Sequence, residues 1–229
     1  MLSREDLLDS IKSCIFFSHG IILLKERRDT MANCLKESKT KENLMKAFAG
    51  ESQARNRYTF AAEKAREQGL YSIADVFVYT AEQERAHAER YYELLKELSG
   101  ETVEICGGFP VDQSEDMVTL LEMAKHNEFE EYEDVYQNFG DIAKEEGFME
   151  AASTFYQIAE VEKIHGDRFA CVKEMLETGA YFESVNETSW MCTNCGYIHT
   201  GNRAPSICPV CRHERGYFIP ITMAPYQGE

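Results

Sequence analysis

The sequence lacks an excess of basic residues, and it lacks an apolar run long enough to cross a membrane. Lys and Arg number 24 against 40 Asp and Glu in 229 residues, so the formal charge at pH 7 is −16. No extended basic surface is therefore expected, which argues against nucleic acid or an anionic membrane as a partner. The one membrane-like run, residues 14–24, is much shorter than the roughly 20 residues that a spanning helix needs. A hydrophobic fraction of 44% excludes a disordered or fibrous chain.

A secretory signal is also missing from the N-terminal sequence. Glu5, Asp6 and Asp9 stand where a signal peptide carries basic residues. Four of the eight cysteines are scattered singly along the chain, at Cys14, Cys34, Cys106 and Cys171. Single thiols without pairing motifs indicate a reducing compartment. We therefore predict a cytoplasmic protein.

Four segments with helical periodicity dominate the middle of the chain, over about residues 41–68, 72–98, 114–145 and 149–177. Gly69 and Gly147 divide each pair as short turns do, whereas residues 99–113 form a connection too long for a tight hairpin. This order predicts a mainly α fold, a ferritin-like four-helix bundle with one long crossover. The expected divisions are an N-terminal extension at 1–30, the helical domain at 31–177, a linker at 178–189 and a small four-cysteine module at 190–229.

The two predicted helix pairs are related by an internal repeat with a shift of 78 residues. Over 37 aligned positions 10 residues are identical, without a gap. The matched positions include two Glu-x-x-His motifs and one tyrosine in each half, namely Glu84 and His87 with Glu162 and His165, and Tyr58 with Tyr136. The repeat predicts a bundle with pseudo-two-fold symmetry and a site on its axis.

Acidic residues occupy the middle of the apolar seam of each predicted helix. At one level of the core the seams bring together Glu51, Glu84, His87, Glu128, Glu131, Glu162 and His165. Five carboxylates cannot stay ionised there unaided, because desolvation costs several kcal/mol per ion. Two metal ions would balance this charge, and Glu-x-x-His on two helices with Glu on the other two is the ligand pattern of ferritin-like di-iron and di-manganese proteins. Carboxylate and imidazole ligands suit iron or manganese.

The repeat fails at one position, because the residue 78 places after Glu51 is Phe129. The counterpart of Glu51 must be Glu128 or Glu131, so the third helix is out of register by at least one residue. A π-bulge between these glutamates and Tyr136 would absorb the difference. An unbroken α-helical ladder through this stretch would contradict this hypothesis.

Other polar residues near the seams carry different expectations. Tyr58 and Tyr136 are either ordinary core aromatics or hydrogen-bond partners of the nearby carboxylates. His126, Glu130 and Glu133 are expected to face solvent.

The C-terminal cysteines form two Cys-x-x-Cys motifs separated by 12 residues, Cys192 with Cys195 and Cys208 with Cys211. Four thiolates at this spacing hold one tetrahedral metal ion. The spacing does not distinguish iron from zinc. Iron would make the module a one-electron carrier, and zinc would make it a structural ribbon.

Taken together, these motifs resemble the rubrerythrin family over about residues 31–220. The resemblance is carried by residues 47–58, the two Glu-x-x-His motifs, Glu128-x-x-Glu131-Tyr132, Trp190-x-Cys192-x-x-Cys195-Gly196-Tyr197 and Cys208-Pro209-x-Cys211. It implies a di-iron domain followed by a rubredoxin-like domain. The five glutamates and two histidines would be the catalytic residues and would bind two non-haem iron ions, and the four cysteines would bind one iron. One iron would exchange Glu131 for His87 when its redox state changes.

The resemblance also implies an activity, an NAD(P)H-linked peroxidase that reduces hydrogen peroxide to water and protects against oxidative stress. Electrons would come from a reductase or a small redox protein and pass through the four-cysteine iron. The active form would be a homodimer in which the module of one chain faces the di-iron site of the other.

Three alternatives stand beside this reading. A ferroxidase or another iron-handling protein would use the same bundle but would not need the four-cysteine module. An oxygen-activating oxidase would need a substrate cavity beside the metals. Structural zinc at both sites disagrees with seven ligands, because closed zinc sites have four.

Overall fold

A computed structural model describes residues 34–225 and is mainly helical. Its helices are α1 (Lys39–Glu67), α2 (Tyr71–Leu94), α3 (Met117–Glu130), α4 (Tyr136–Glu145) and α5 (Met149–Thr178), and its strands are β1 (Glu183–Cys192), β2 (Ile198–Arg203) and β3 (Phe218–Pro220). The extension expected at residues 1–30 lies outside the described residues. Between residues 34 and 225 no helix combines the length and the apolarity needed to cross a membrane.

The helices form the expected four-helix bundle with one long crossover. Gly69 and Gly147 have positive φ angles of 71° and 86° in the two short turns, a conformation that favours glycine. Ser38 and Asp116 cap α1 and α3, because each side chain accepts a hydrogen bond from a backbone N–H of the first turn. Residues 99–116 connect the two helix pairs without helix or strand. The predicted pairing of helices and the predicted crossover are both confirmed.

Two hydrophobic clusters fill the bundle, one towards each end, and a layer of buried polar residues separates them. On α1, Ala47 belongs to one cluster and Ala54 to the other, with the fully buried Glu51 between them. On α5, Ala159 and Phe169 likewise belong to different clusters. The apolar packing on both sides therefore holds the polar layer at the middle of the bundle.

A π-helical turn at Glu131–Val135 joins α3 to α4, as the broken repeat predicts. The uninterrupted 3.6-residue period would bury Val135, Asn138 and Ile142 after the turn. That part of the predicted seam is wrong, because the structure exposes Asn138 and buries Tyr136, Gly140 and Ala143. The wider turn takes up one extra residue, which moves the inward face by one position along the sequence.

The C-terminal module is built on an antiparallel sheet with the strand order β2-β1-β3. Strand β1 begins at Glu183, so the linker expected at residues 178–189 is a strand over its second half. This half carries mostly exposed polar side chains, and it therefore has no apolar alternation that sequence reasoning could detect. Its pairing with β2 is also irregular, with a register shift between Glu183 and Thr188.

The module packs closely against the turn between α1 and α2. A Cβ atom on Gly216 would lie 1.6 Å from the carbonyl oxygen of Gly69, so only glycine permits this approach. The rings of Tyr71 and Tyr217 stack beside it with centroids 4.2 Å apart. The module is thus attached to one end of its own bundle.

We predict that Gly216→Ala loosens this attachment, because the added methyl group collides with backbone that cannot rotate away. Overpacking of this kind costs about 1–3 kcal/mol. The thermal unfolding midpoint of the full chain should fall. Gly108→Ala is the matched control, since its Cβ would meet nothing within 4 Å. Equal midpoints for the two variants would contradict the prediction.

Candidate metal centre

Six side chains of the polar layer form two overlapping groups of potential metal ligands. In each group, one ligand atom per residue lies within 4.8 Å of the others. The first group contains Glu51, Glu84, His87 and Glu162, and the second contains Glu84, Glu128, Glu162 and His165. Glu84 and Glu162 belong to both groups, so the arrangement has the form of two adjacent sites that share two carboxylates.

The two groups follow the internal repeat. Glu51 corresponds to Glu128, and the two Glu-x-x-His motifs on α2 and α5 correspond to each other. The imidazole rings of His87 and His165 are nearly parallel, with centroids 5.6 Å apart and an interplanar angle of 19°. The site predicted on a pseudo-two-fold axis is therefore present in the geometry.

The ligand atoms lie close together without forming hydrogen bonds. His165 Nδ1 lies 2.8 Å from Glu162 Oε2 and 2.9 Å from Glu84 Oε1, and His87 Nδ1 lies 2.9 Å from Glu162 Oε1. Yet these nitrogens, both carboxylate oxygens of Glu84 and Glu162, and one oxygen each of Glu51 and Glu128 are buried without a hydrogen-bond partner among the described residues. Metal bonds of about 2.1 Å to nitrogen and oxygen would place neighbouring ligand atoms about 3 Å apart. The residues present therefore fit a pair of metal ions.

Two tyrosines support these carboxylates in a reciprocal manner. The hydroxyl group of Tyr58 on α1 donates a hydrogen bond to Glu128 on α3, and that of Tyr136 on α4 donates to Glu51 Oε1 on α1 at 2.5 Å. Burial raises the pKa of both tyrosines well above the usual range, so both hydroxyls keep their protons. Of the two alternatives for these tyrosines, the structure shows the hydrogen-bonding role.

His165 is held by two residues that sequence reasoning did not identify. Its Nε2 lies 3.1 Å from Gln83 Oε1, and the same oxygen accepts a hydrogen bond from Arg168 at 3.1 Å. Because Arg168 fixes this oxygen as an acceptor, His165 must carry its proton on Nε2, and Nδ1 is left with a lone pair towards the carboxylates. The repeat gave no signal for this contact, since the counterpart of Gln83 is Val161.

Glu131 is the one predicted ligand that the structure does not bring into either group. Its side chain is half-buried and lines a pocket of about 280 Å³ beside the centre. No hydrogen bond or ion pair holds it within the described part of the chain. The side chains of His126, Glu130 and Glu133 are exposed, as expected.

Electrostatic interactions in the metal-free layer favour bound protons. Burial raises the pKa of Glu51 well above its usual range and that of Glu128 to about 8. Burial disfavours the charged imidazole of His165, but Glu128, Glu162 and Glu84 outweigh it and raise the pKa of His165 to about 12. A metal ion would therefore have to displace protons from the residues that bind it.

The four C-terminal cysteines form a third group of potential ligands. The Sγ atoms of Cys192 and Cys211, and those of Cys195 and Cys208, are 3.7 Å apart. This separation is far longer than a disulfide bond, and it matches the edge of a tetrahedron with metal–sulfur bonds of about 2.3 Å. The four-cysteine metal site that the spacing predicted is present.

Fold and sites together define a ferritin-like protein with a dinuclear carboxylate–histidine centre and a rubredoxin-like four-cysteine centre. The family profile for rubrerythrin matches residues 42–173, and the profile for the rubrerythrin rubredoxin-like domain matches residues 190–219. Rubrerythrin of Clostridium perfringens is 45% identical over 80% of this chain and 95% of its own length. Rubrerythrin of Porphyromonas gingivalis is 43% identical over 86% and 96%. The chain belongs to the rubrerythrin family.

Solved structures agree with this assignment. Fully reduced, all-ferrous nigerythrin aligns with 82% of this chain and 92% of its own, at 30% identity and a TM-score of 0.54. A bacterioferritin of Desulfovibrio desulfuricans with a di-iron site aligns with 61% of this chain and 81% of its own, at 27% identity and a TM-score of 0.54.

We predict that ferrous ions bind more tightly at pH 8 than at pH 6. The carboxyl group of Glu128, with a pKa of about 8, and the imidazole of His165, with a pKa of about 12, hold protons in the metal-free protein at the lower pH. Each displaced proton changes the apparent affinity by up to about tenfold per pH unit. Anaerobic titration against a competing chelator measures this dependence. Glu133→Gln, at an exposed position, should show the same slope, and a pH-independent affinity would refute the prediction.

We predict that Gln83→Ala weakens metal binding by about 10–100-fold, because His165 loses the contact that sets its tautomer and ring orientation. Competition with a chelator again measures the affinity. The matched control is Gln157→Ala, which removes an exposed glutamine whose amide donates only to Ser153. If Gln83→Ala and Gln157→Ala bind metal equally well, Gln83 has no positioning role.

Proposed function

We propose that the chain is a peroxidase that reduces hydrogen peroxide to water and is re-reduced through its own four-cysteine iron. The observation that carries this proposal is the combination, in one chain, of a buried two-metal ligand set with unpaired donor atoms and a four-thiolate site. Membership of the rubrerythrin family adds support. Two ferrous ions, when bound, would supply the two electrons that cleave the peroxide bond.

The protein residues in this proposal hold the metals and keep protons at fixed atoms. Glu84 and Glu162 would contact both metals, because each belongs to both ligand groups. The hydroxyls of Tyr58 and Tyr136 orient Glu128 and Glu51 and keep a proton beside the oxygen that each carboxylate presents. The surrounding hydrophobic clusters exclude bulk water from this layer.

The two halves of the centre would play different roles. His165 is fully buried and held through Nε2, whereas the side chain of His87 is 12% exposed and has no partner at Nε2 among the described residues. Glu131 faces the pocket and also lacks a partner. This asymmetry supports an exchange in which His87 serves the reduced centre and the Glu131 carboxylate serves the more positive, oxidised centre.

Electron delivery would require a second chain. The module contacts α2 at Tyr71, and Glu84 lies 13 residues farther along the same helix. At a rise of 1.5 Å per residue this separation is about 20 Å. A homodimer in which the module of one chain faces the centre of the other would shorten the path. The module would receive electrons from an NAD(P)H-dependent reductase or a small redox protein.

We also propose a cytoplasmic location and a role against oxidative stress. Within residues 34–225 all cysteines are free thiols, which agrees with a reducing compartment.

Iron oxidation is the second candidate function. The similarity to a bacterioferritin with a di-iron site favours it, since that protein uses a related bundle. Iron oxidation for storage gives no role to the four-cysteine module, and for this reason we rank it below the peroxidase.

Anaerobic stopped-flow spectroscopy of the reduced, iron-loaded protein mixed with hydrogen peroxide tests the proposal. We expect one peroxide to oxidise the metal pair and the ferric-thiolate absorption of the module to appear rapidly. In Glu131→Ala the metals should stay bound, because Glu131 belongs to neither ligand group, and peroxide turnover should slow at least about tenfold.

Glu133→Ala is the control, an exposed glutamate two residues away that should behave as the unaltered protein. Unchanged turnover in Glu131→Ala would reject the role of Glu131. A module that stays colourless in every redox state would hold zinc, and iron oxidation would then become the leading function.

A further inference from the structure

The pocket beside Glu131 is larger than the proposed substrate requires. Its volume is about 280 Å³. One water molecule occupies about 30 Å³ in the liquid, so the pocket would hold about nine waters. Hydrogen peroxide, with its two oxygen atoms, needs about the space of two. The excess volume indicates a ligand that carries more than the peroxide group.

The pocket opens directly beside the metal centre. Glu131 and Tyr136 line its inner side, and Gly50, which precedes the ligand residue Glu51, lines it as well. Tyr136 also donates its hydroxyl proton to Glu51 Oε1, so its ring separates the pocket from one of the two ligand groups. A molecule in the pocket would therefore have one end next to Glu131.

The rest of the pocket wall is largely apolar. Phe109 on the crossover is 40% exposed, and Val135 and Phe139 are half-buried, although all three lie beside the core. Ala47 and Pro110 complete this apolar part. A hydrocarbon group would remove these surfaces from water, with a gain of about 25 cal/mol per Å² of apolar area.

The roof of the pocket is held in place by polar contacts. Gln53 donates a hydrogen bond to the carbonyl oxygen of Pro110 at 2.8 Å, and Arg57 forms an ion pair with Asp112. Asn127 donates to the same Asp112 carboxylate at 2.7 Å. These contacts fix residues 106–112 over α1, so the pocket is preformed and needs no closure by a ligand.

We propose that this pocket binds the organic group of small alkyl or aryl hydroperoxides, which the centre reduces in addition to hydrogen peroxide. The inference rests on the proposed peroxidase function and extends its substrate class. The O–O bond of the hydroperoxide breaks, two electrons come from the ferrous pair, and two protons are taken up. The products are one alcohol and one water. The alcohol leaves through the pocket, and electrons from NAD(P)H restore the centre.

A binding experiment tests the pocket independently of turnover. Cys106 lines the pocket and carries an exposed free thiol, whereas Cys34 is an exposed free thiol that does not line it. The oxidised, iron-loaded protein is treated with N-ethylmaleimide at increasing concentrations of 2-phenylpropan-2-ol, the alcohol formed from cumene hydroperoxide. Peptide mass spectrometry follows both thiols. Alkylation of Cys106 should slow several-fold and saturably, with Cys34 unaffected. Equal rates at Cys106 with and without the alcohol would overturn the proposal.

Turnover provides the second arm, with cumene hydroperoxide and hydrogen peroxide compared on the same preparation. In Phe109→Ala the ratio of kcat/KM for cumene hydroperoxide to that for hydrogen peroxide should fall about tenfold, because an apolar wall is lost. Phe60→Ala, an exposed aromatic outside the pocket, should leave the ratio unchanged.

The outcomes separate this inference from the function on which it rests. Reduction of hydrogen peroxide without reduction of cumene hydroperoxide would overturn the wider substrate class and leave the peroxidase function intact. Reduction of neither by the iron-loaded protein would overturn both. Reduction of cumene hydroperoxide with an unchanged ratio in Phe109→Ala would show that the pocket does not bind the organic group.

Discussion

The burial of negative charge in the middle of the bundle is the constraint on which the rest of the structure depends. Glu51, Glu84, Glu128 and Glu162 are at most 1% exposed, and most of their oxygens face one another without hydrogen-bond partners. Each ion would cost several kcal/mol to desolvate, and mutual repulsion adds to this cost. Hydrophobic clusters on both sides hold the layer in place. The arrangement is therefore favourable only when protons or metal ions neutralise it, and the unpaired nitrogens of the two histidines make it suitable for metals.

Local helix geometry serves the same constraint. A regular α-helix could not direct both Glu128 and Tyr136 to the centre, because eight residues separate them and the equivalent pair on α1 is separated by seven. The π turn at Glu131–Val135 takes up the extra residue. As a result the Tyr58–Glu128 and Tyr136–Glu51 hydrogen bonds cross between the helix pairs in a reciprocal way. The same turn places Glu131 at the pocket and outside the ligand groups.

The pseudo-two-fold symmetry is broken where the two halves would need different properties. His165 is held by Gln83 and Arg168, whereas His87 has no such contact and is partly exposed. A repeated scaffold thus supports one rigid position and one adaptable position. The four-cysteine module is attached at the far end of α2 through the close approach of Gly216 to the α1–α2 turn. This attachment keeps the two metal-binding regions of a single chain apart and underlies the proposal that electrons pass between chains.

The sequence by itself determined the helix pairs, the crossover, the two Glu-x-x-His motifs and the four-cysteine site, because these features depend on local periodicity and on spacing along the chain. It also indicated the π turn, since one extra residue breaks an otherwise gapless repeat. Tertiary structure alone decided the contact of Gln83 with His165, the position of Glu131 at a pocket and the early start of β1 at Glu183. Each of these depends on which side chains or strands meet across the fold, and such meetings leave no periodic signal in one sequence.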